Sequence, residues 1–142
     1  MSRKIRAYIN TTVLISLANP RDPNYGGFRR SLRRALSEGH VLLTSTITFL
    51  ELYGKRSYDA VKKVVKEFGI KVYRVNEEKL IEKARETIAK HRYSRKRMYD
   101  IAHVYAALAL KCDAIVSNDR FINRYGRRKG LKTGRPQEVF GR

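Results

Sequence analysis

Along almost its whole length the chain alternates short apolar stretches with amphipathic segments of helical length, and this alternation narrows the folds open to it. Residues 5–9, 40–45 ("HVLLTS"), 70–75 ("IKVYRV") and 114–117 ("AIVS") are short, apolar and rich in β-branched side chains, the pattern of buried strands. Between them, residues 12–17, 28–37, 47–53, 57–69, 77–92 and 98–112 repeat apolar positions three and four apart, as a helix with one buried face requires. Gly39 and Gly69 stop two of these helices, and Asn76 starts another. Strands joined by helices of this length run parallel, because a crossover must return the chain to the start of the next strand. The pattern therefore predicts an α/β fold, a three-layer α/β/α sandwich around a short, mainly parallel central sheet. Residues 119–126 read as a last short helix and "EVF" at 138–140 as a small edge strand.

The 142 residues suit a single domain spanning 1–142, with no internal repeat and no linker that would split it. The basic, glycine-containing stretch at about 123–137 is expected to be the loosest part. No apolar run reaches the roughly 18 residues of a membrane span, and the N-terminus lacks the apolar core of about 7–15 residues of a secretory signal. Cys112 is the only cysteine, so no disulfide can form within the chain. A cytoplasmic protein without a membrane partner is the expectation.

Charge points to the partner. The chain carries 32 Lys and Arg against 13 Asp and Glu, a formal net charge of +19. Nucleic acid is the usual counter-charge for such an excess. The cations are concentrated in "FRRSLRRAL", in "KHRYSRKRMY" and near the C-terminus. In the second of these, Arg92, Arg95, Lys96 and Arg97 are placed to hold phosphates, with Tyr93 and Tyr99 as stacking partners for unpaired bases.

Polar residues at strand–helix junctions point to chemistry. Sites in open α/β sheets form at the carboxyl ends of strands. Asn10 follows the first strand, and Asp119 follows "AIVS". Each also reads as a helix N-cap. Glu51 lies on an apolar helix stripe, where a carboxylate needs a cation, either Arg or Lys or a metal ion. Asp100 opens the helix that carries His103, and His103 reads as a packed histidine rather than a ligand. Oxygen donors at 10, 51, 100 and 119, with few nitrogens or sulfurs, suit Mg²⁺ or Mn²⁺.

Three segments resemble PIN domains. "YINTTVLISL" is similar to the family's opening strand and helix, "TITFLEL" to the segment bearing its acidic helix residue, and "YDIAHVYAALALKCDAIVSNDRFI" to its most recognisable stretch. The likeness runs from residue 5 to about 140. It implies a Mg²⁺- or Mn²⁺-dependent endoribonuclease of the VapC-like toxin type, acting on single-stranded or structured RNA. Glu51, Asp100 and Asp119 would then be metal ligands, with Thr11 and Ser117 supporting them. The departure is Asn10, which stands where the family pattern has an aspartate. It completes the catalytic set as a neutral group and is expected to impair activity. The resemblance also implies a homodimer and an antitoxin protein as partners. Its alternative is a catalytically degenerate PIN domain that binds RNA without cleaving it.

Overall fold

The structure is a computed structural model that describes residues 3–141. Five strands, β1 (Arg6–Ile9), β2 (Val41–Ser45), β3 (Lys71–Tyr73), β4 (Ala114–Val116) and β5 (Lys132–Gly134), form one sheet in the order β3-β2-β1-β4-β5. All four pairings are parallel. β1 is central, with Tyr8 opposite Leu43 on one side and Ile115 on the other. The chain leaves β1 toward β2 and later returns to β4 on its other flank. The carboxyl ends of β1 and β4 are thus the switch point where α/β sheets open a crevice.

Period-two alternation divides the strand side chains between two cores. Ala7, Ile9, Leu42, Ala114 and Val116 face one layer. That layer is covered by α1 (Thr11–Ala18), α2 (Tyr25–Ser37) and α4 (Ser57–Glu67), through residues such as Leu14, Leu17, Phe28, Leu32 and Val61. Tyr8, Leu43 and Ile115 face the other, packed by α5 (Glu77–His91), α6 (Met98–Ala109) and α7 (Arg120–Arg128). The short helix α3 (Thr46–Glu51) follows β2 directly, and Ser45 caps it by accepting from the Ile47 N–H. α6 is buried from Ile101 through Ala107, as the central helix of its layer. No helix among the described residues is long and apolar enough to cross a membrane.

One expectation changes near the C-terminus. Residues 138–140 belong to a helix, α8 (Pro136–Phe140), and not to an edge strand. Pro136 suits the first helical position, and the Glu138 carboxylate accepts from the Arg135 N–H at 2.8 Å, which closes the helix start. The edge strand is β5, which has no large apolar residue and is held by backbone pairing to β4. The stretch 123–137 takes in the end of α7, β5 and the start of α8, with Tyr125, Leu131 and Pro136 buried.

Candidate active site

Asn10 is where β1 hands over to α1. Its N–H donates to the Val116 carbonyl at 3.0 Å, which fastens the end of β1 to β4. Its own carbonyl accepts from the Val13 and Leu14 N–H groups and so starts α1. The side chain does no capping. It turns across the sheet edge instead, where Nδ2 donates to Thr12 Oγ1 at 3.0 Å and to Ser117 Oγ at 3.4 Å. Oδ1 is buried and has no hydrogen-bond partner. An unsatisfied buried acceptor costs about 1–3 kcal/mol, so this oxygen is poised for a donor or a cation.

Ser117 links Asn10 to Asp119, since its hydroxyl also accepts from the Asp119 N–H at 3.0 Å. Asp119 does cap α7: Oδ1 accepts from the Ile122 N–H at 3.0 Å. Oδ2 remains free of that duty and faces Arg97 Nη1 at 3.7 Å. The same Nη1 donates to Asp100 Oδ2 at 3.3 Å, so one guanidinium bridges the two carboxylates. Arg97 is itself seated over the Phe121 ring, 4.6 Å from its centroid. Burial pushes the Asp100 carboxyl above its ordinary range, the charge of Asp119 adds to this, and Glu51 adds a little more against the opposing pull of Arg97. Two carboxylates thus face one guanidinium. With 19% and 27% of their side chains exposed, Asp100 and Asp119 remain within reach of a ligand.

Glu51 has a different setting. Its Oε1 accepts from Thr11 Oγ1 at 2.8 Å and from His103 Nε2 at 2.8 Å. Behind His103, Nδ1 meets the Tyr8 hydroxyl at 2.7 Å, which in turn meets Ser45 Oγ at 2.7 Å. Burial pushes the Tyr8 phenol far up, so it stays a donor. The Glu51 carboxylate can only accept, so His103 Nε2 carries the proton that faces it. Burial alone would raise the Glu51 carboxyl; the hydrogen bond and charge of His103, then the Thr11 hydroxyl, outweigh it and hold the group below its ordinary range. Both protein donors fall on Oε1, and Oε2 keeps its lone pairs for another partner.

The structure thus brings Asn10, Asp119 and Asp100 together through Ser117 and Arg97, with Thr11 and Glu51 beside them. Among the described residues no three His, Cys, Asp or Glu side chains form a ready-made metal cluster, and Glu51 is not grouped with Asp100 and Asp119 in that way. It is drawn back toward Thr11 and His103. The remaining donors still fit a hard divalent cation. Mg²⁺ is commonly held by one or two carboxylates and keeps several waters. Asp100, Asp119 and Asn10 carry oxygen donors of that kind, with Asn10 Oδ1 lacking a protein partner.

The basic segment before Asp100 divides by role. Arg92 ends α5 in the left-handed region, at φ 57°, and is exposed, as are Arg95 and Lys96. Arg97 is occupied at the carboxylates. Tyr93 is not an open platform for a base: it stacks on His91, meets Phe121 and Tyr125 edge-on, and its hydroxyl accepts from Arg128. Tyr99 packs on the same core. Sequence reasoning missed Tyr8 and the bracing role of His103. The available signals were a tyrosine pointing from β1 to the α6 side and a histidine three residues after Asp100, one turn along the same helix.

A parallel α/β domain with polar and acidic side chains at its switch point is the class that fold and site define. The PIN domain family profile matches residues 7–128. The chain belongs to the PIN domain family. No curated protein matches the sequence significantly. Among solved structures, the fold is similar to that of Mycobacterium tuberculosis VapC20, a toxin that cleaves the sarcin–ricin loop, with a TM-score of 0.59 and 18% identity over 84% of this chain and 95% of that one. It is also similar to a chain of Rickettsia felis VapBC2 bound to a DNA fragment from its promoter, with a TM-score of 0.62 and 14% identity over 91% of this chain and 97% of that one.

Proposed function

We propose that this PIN domain is a divalent-metal-dependent endoribonuclease of the VapC toxin type, acting on single-stranded or structured RNA and slowed by the amide at position 10. The observation that carries this reading is the orphaned Oδ1 of Asn10 at the sheet edge that also bears Asp100 and Asp119. Asn10 Oδ1 and the two carboxylates would hold Mg²⁺ or Mn²⁺, which supplies positive charge to a phosphate and lowers the pKa of a bound water. Ser117 orients Asn10 and Asp119 together. Thr11 and His103 keep Glu51 ionised and fixed, with Oε2 open to accept a proton from an attacking water. Arg97, now paired with both carboxylates, would be free to hold substrate phosphate once a cation neutralised them. Arg92, Arg95 and Lys96, all exposed, hold the flanking strand. The VapBC2 neighbour supports an antitoxin chain as a partner, and a second copy of this chain is proposed beside it.

A non-cleaving RNA binder is the second reading, favoured by the uncharged Asn10 and by the guanidinium already seated between Asp100 and Asp119. The test is cleavage of a labelled, mixed-sequence single-stranded RNA under single-turnover conditions. Slow cleavage that needs Mn²⁺, stops with EDTA and is lost in Asp119→Ala supports the nuclease. RNA binding without metal-dependent cleavage at any Mn²⁺ concentration supports the binder.

A further inference from the structure

The helix α7 begins at Asp119 and leads away from the candidate active site. Its sequence, RFINRYGRR, contains no acid. Ile122, Tyr125 and Gly126 are buried against the sheet. At about 100° per residue they lie on the side opposite Arg120, Arg124 and Arg127. Those three arginines are exposed. They fall within an arc of about 60°, and a rise of about 1.5 Å per residue spreads them over about 10 Å.

Their charge is available. Among the described residues none of the three makes an ion pair, whereas on α2 Arg29 and Arg33 share Glu67 and Arg34 faces Glu38. Glu138 is close enough to feel Arg127, but its carboxylate is held by Arg135. The apolar side of α7 is taken up by the core, which leaves nothing to insert into a lipid surface. The stripe ends at the two carboxylates, so a polyanion lying along it is delivered to them.

We infer that the outer face of α7 is a phosphate track that holds the backbone of single-stranded RNA and runs it toward Asp119 and Asp100. The choice of RNA rests on the ribonuclease reading; the track itself rests on the arginine geometry.

The test measures binding with cleavage switched off. A fluorescent single-stranded RNA is titrated in EDTA at several salt concentrations with three proteins: the chain as given, the triple variant Arg120→Ala, Arg124→Ala, Arg127→Ala, and a charge-matched triple on α4, Lys62→Ala, Lys63→Ala, Lys66→Ala. Thermal unfolding verifies that both triples fold, and Arg124→Glu alone serves as the second α7 variant if its triple does not. Each lost phosphate contact on a single strand lowers the slope of log K against log salt by about 0.7, so the α7 triple should lose about 2 from the slope. Its affinity at low salt should fall more than tenfold, and the α4 triple should stay near the parent. Equal losses in both triples would reduce the effect to net charge and overturn the track. An unchanged α7 triple would overturn it too, while leaving the ribonuclease reading to the cleavage assay. No RNA binding by the parent chain would overturn the track, and cleavage with Mn²⁺ would still decide the ribonuclease reading. Tighter binding to duplex DNA, or to phosphatidylserine vesicles, than to the RNA at the same salt would reject RNA as the occupant.

Discussion

Tyr8 shows how much of the site depends on one buried hydroxyl. It joins Ser45 of β2 to His103 of α6, and through His103 it fixes the side of the imidazole that faces Glu51. Tyr8→Phe keeps the ring and removes the link. His103 Nδ1 and the Ser45 hydroxyl then lose their partner in a buried setting, which costs about 1–3 kcal/mol. Urea unfolding is the measurement, and a change below about 0.5 kcal/mol would show that the chain of hydrogen bonds contributes little. Residues of this kind are hard to read in advance. Asp100 and Asp119 could be picked out because acids at junctions have few roles. Tyr8 and His103 resemble ordinary core residues until the strand and the helix are laid against each other. Asn10 was legible as a junction residue with two roles, and only the geometry separates them: the backbone starts the helix while the side chain faces Ser117.

The fit of α7 on the sheet is decided by a glycine. A Cβ at Gly126 would lie 2.9 Å from Thr133 Cγ2 and 3.1 Å from Ile115 Cγ2, neither at the end of a long flexible side chain. Alanine favours a helix over glycine by about 1 kcal/mol, but overpacking of this kind costs about 1–3 kcal/mol. Gly126→Ala is therefore expected to lower stability, and Gly27→Ala in α2, where the nearest atom is Gln137 Nε2 at 3.7 Å, to leave it unchanged or raise it. Paired melting curves test this; two shifts of the same sign and size would contradict the close approach. The same contact explains why β5 escaped the sequence reading. A strand of Lys132, Thr133 and Gly134 carries no apolar alternation, and its place is set by β4 and by the space above Gly126. The long helices, whose apolar stripes repeat over several turns, were legible to within a few residues, as α5 and α6 illustrate.

At the scale of the whole molecule, the alternation of strands and helices dictated a parallel sheet, and β3-β2-β1-β4-β5 is one. The order of strands was not legible from periodicity alone, because neighbours are chosen by long-range packing. That order matters for function, since it sets the end of β1 beside the end of β4 and so joins residues 10 and 119, far apart in the chain. We propose that Asn10, Asp100 and Asp119 form one divalent-ion site whose missing charge at position 10 limits cleavage. Asp and Asn are nearly the same size and both suit a helix start, so Asn10→Asp tests the charge with little change of shape. The decisive measurement is the single-turnover rate of Mn²⁺-dependent RNA cleavage in four proteins: the chain as given, Asn10→Asp, Asp100→Ala, and the double variant. The prediction is a rate increase of tenfold or more in Asn10→Asp that disappears when Asp100→Ala is added. Strong cleavage that is indifferent to both substitutions, or an Asn10→Asp gain that survives the loss of Asp100, would contradict a shared site.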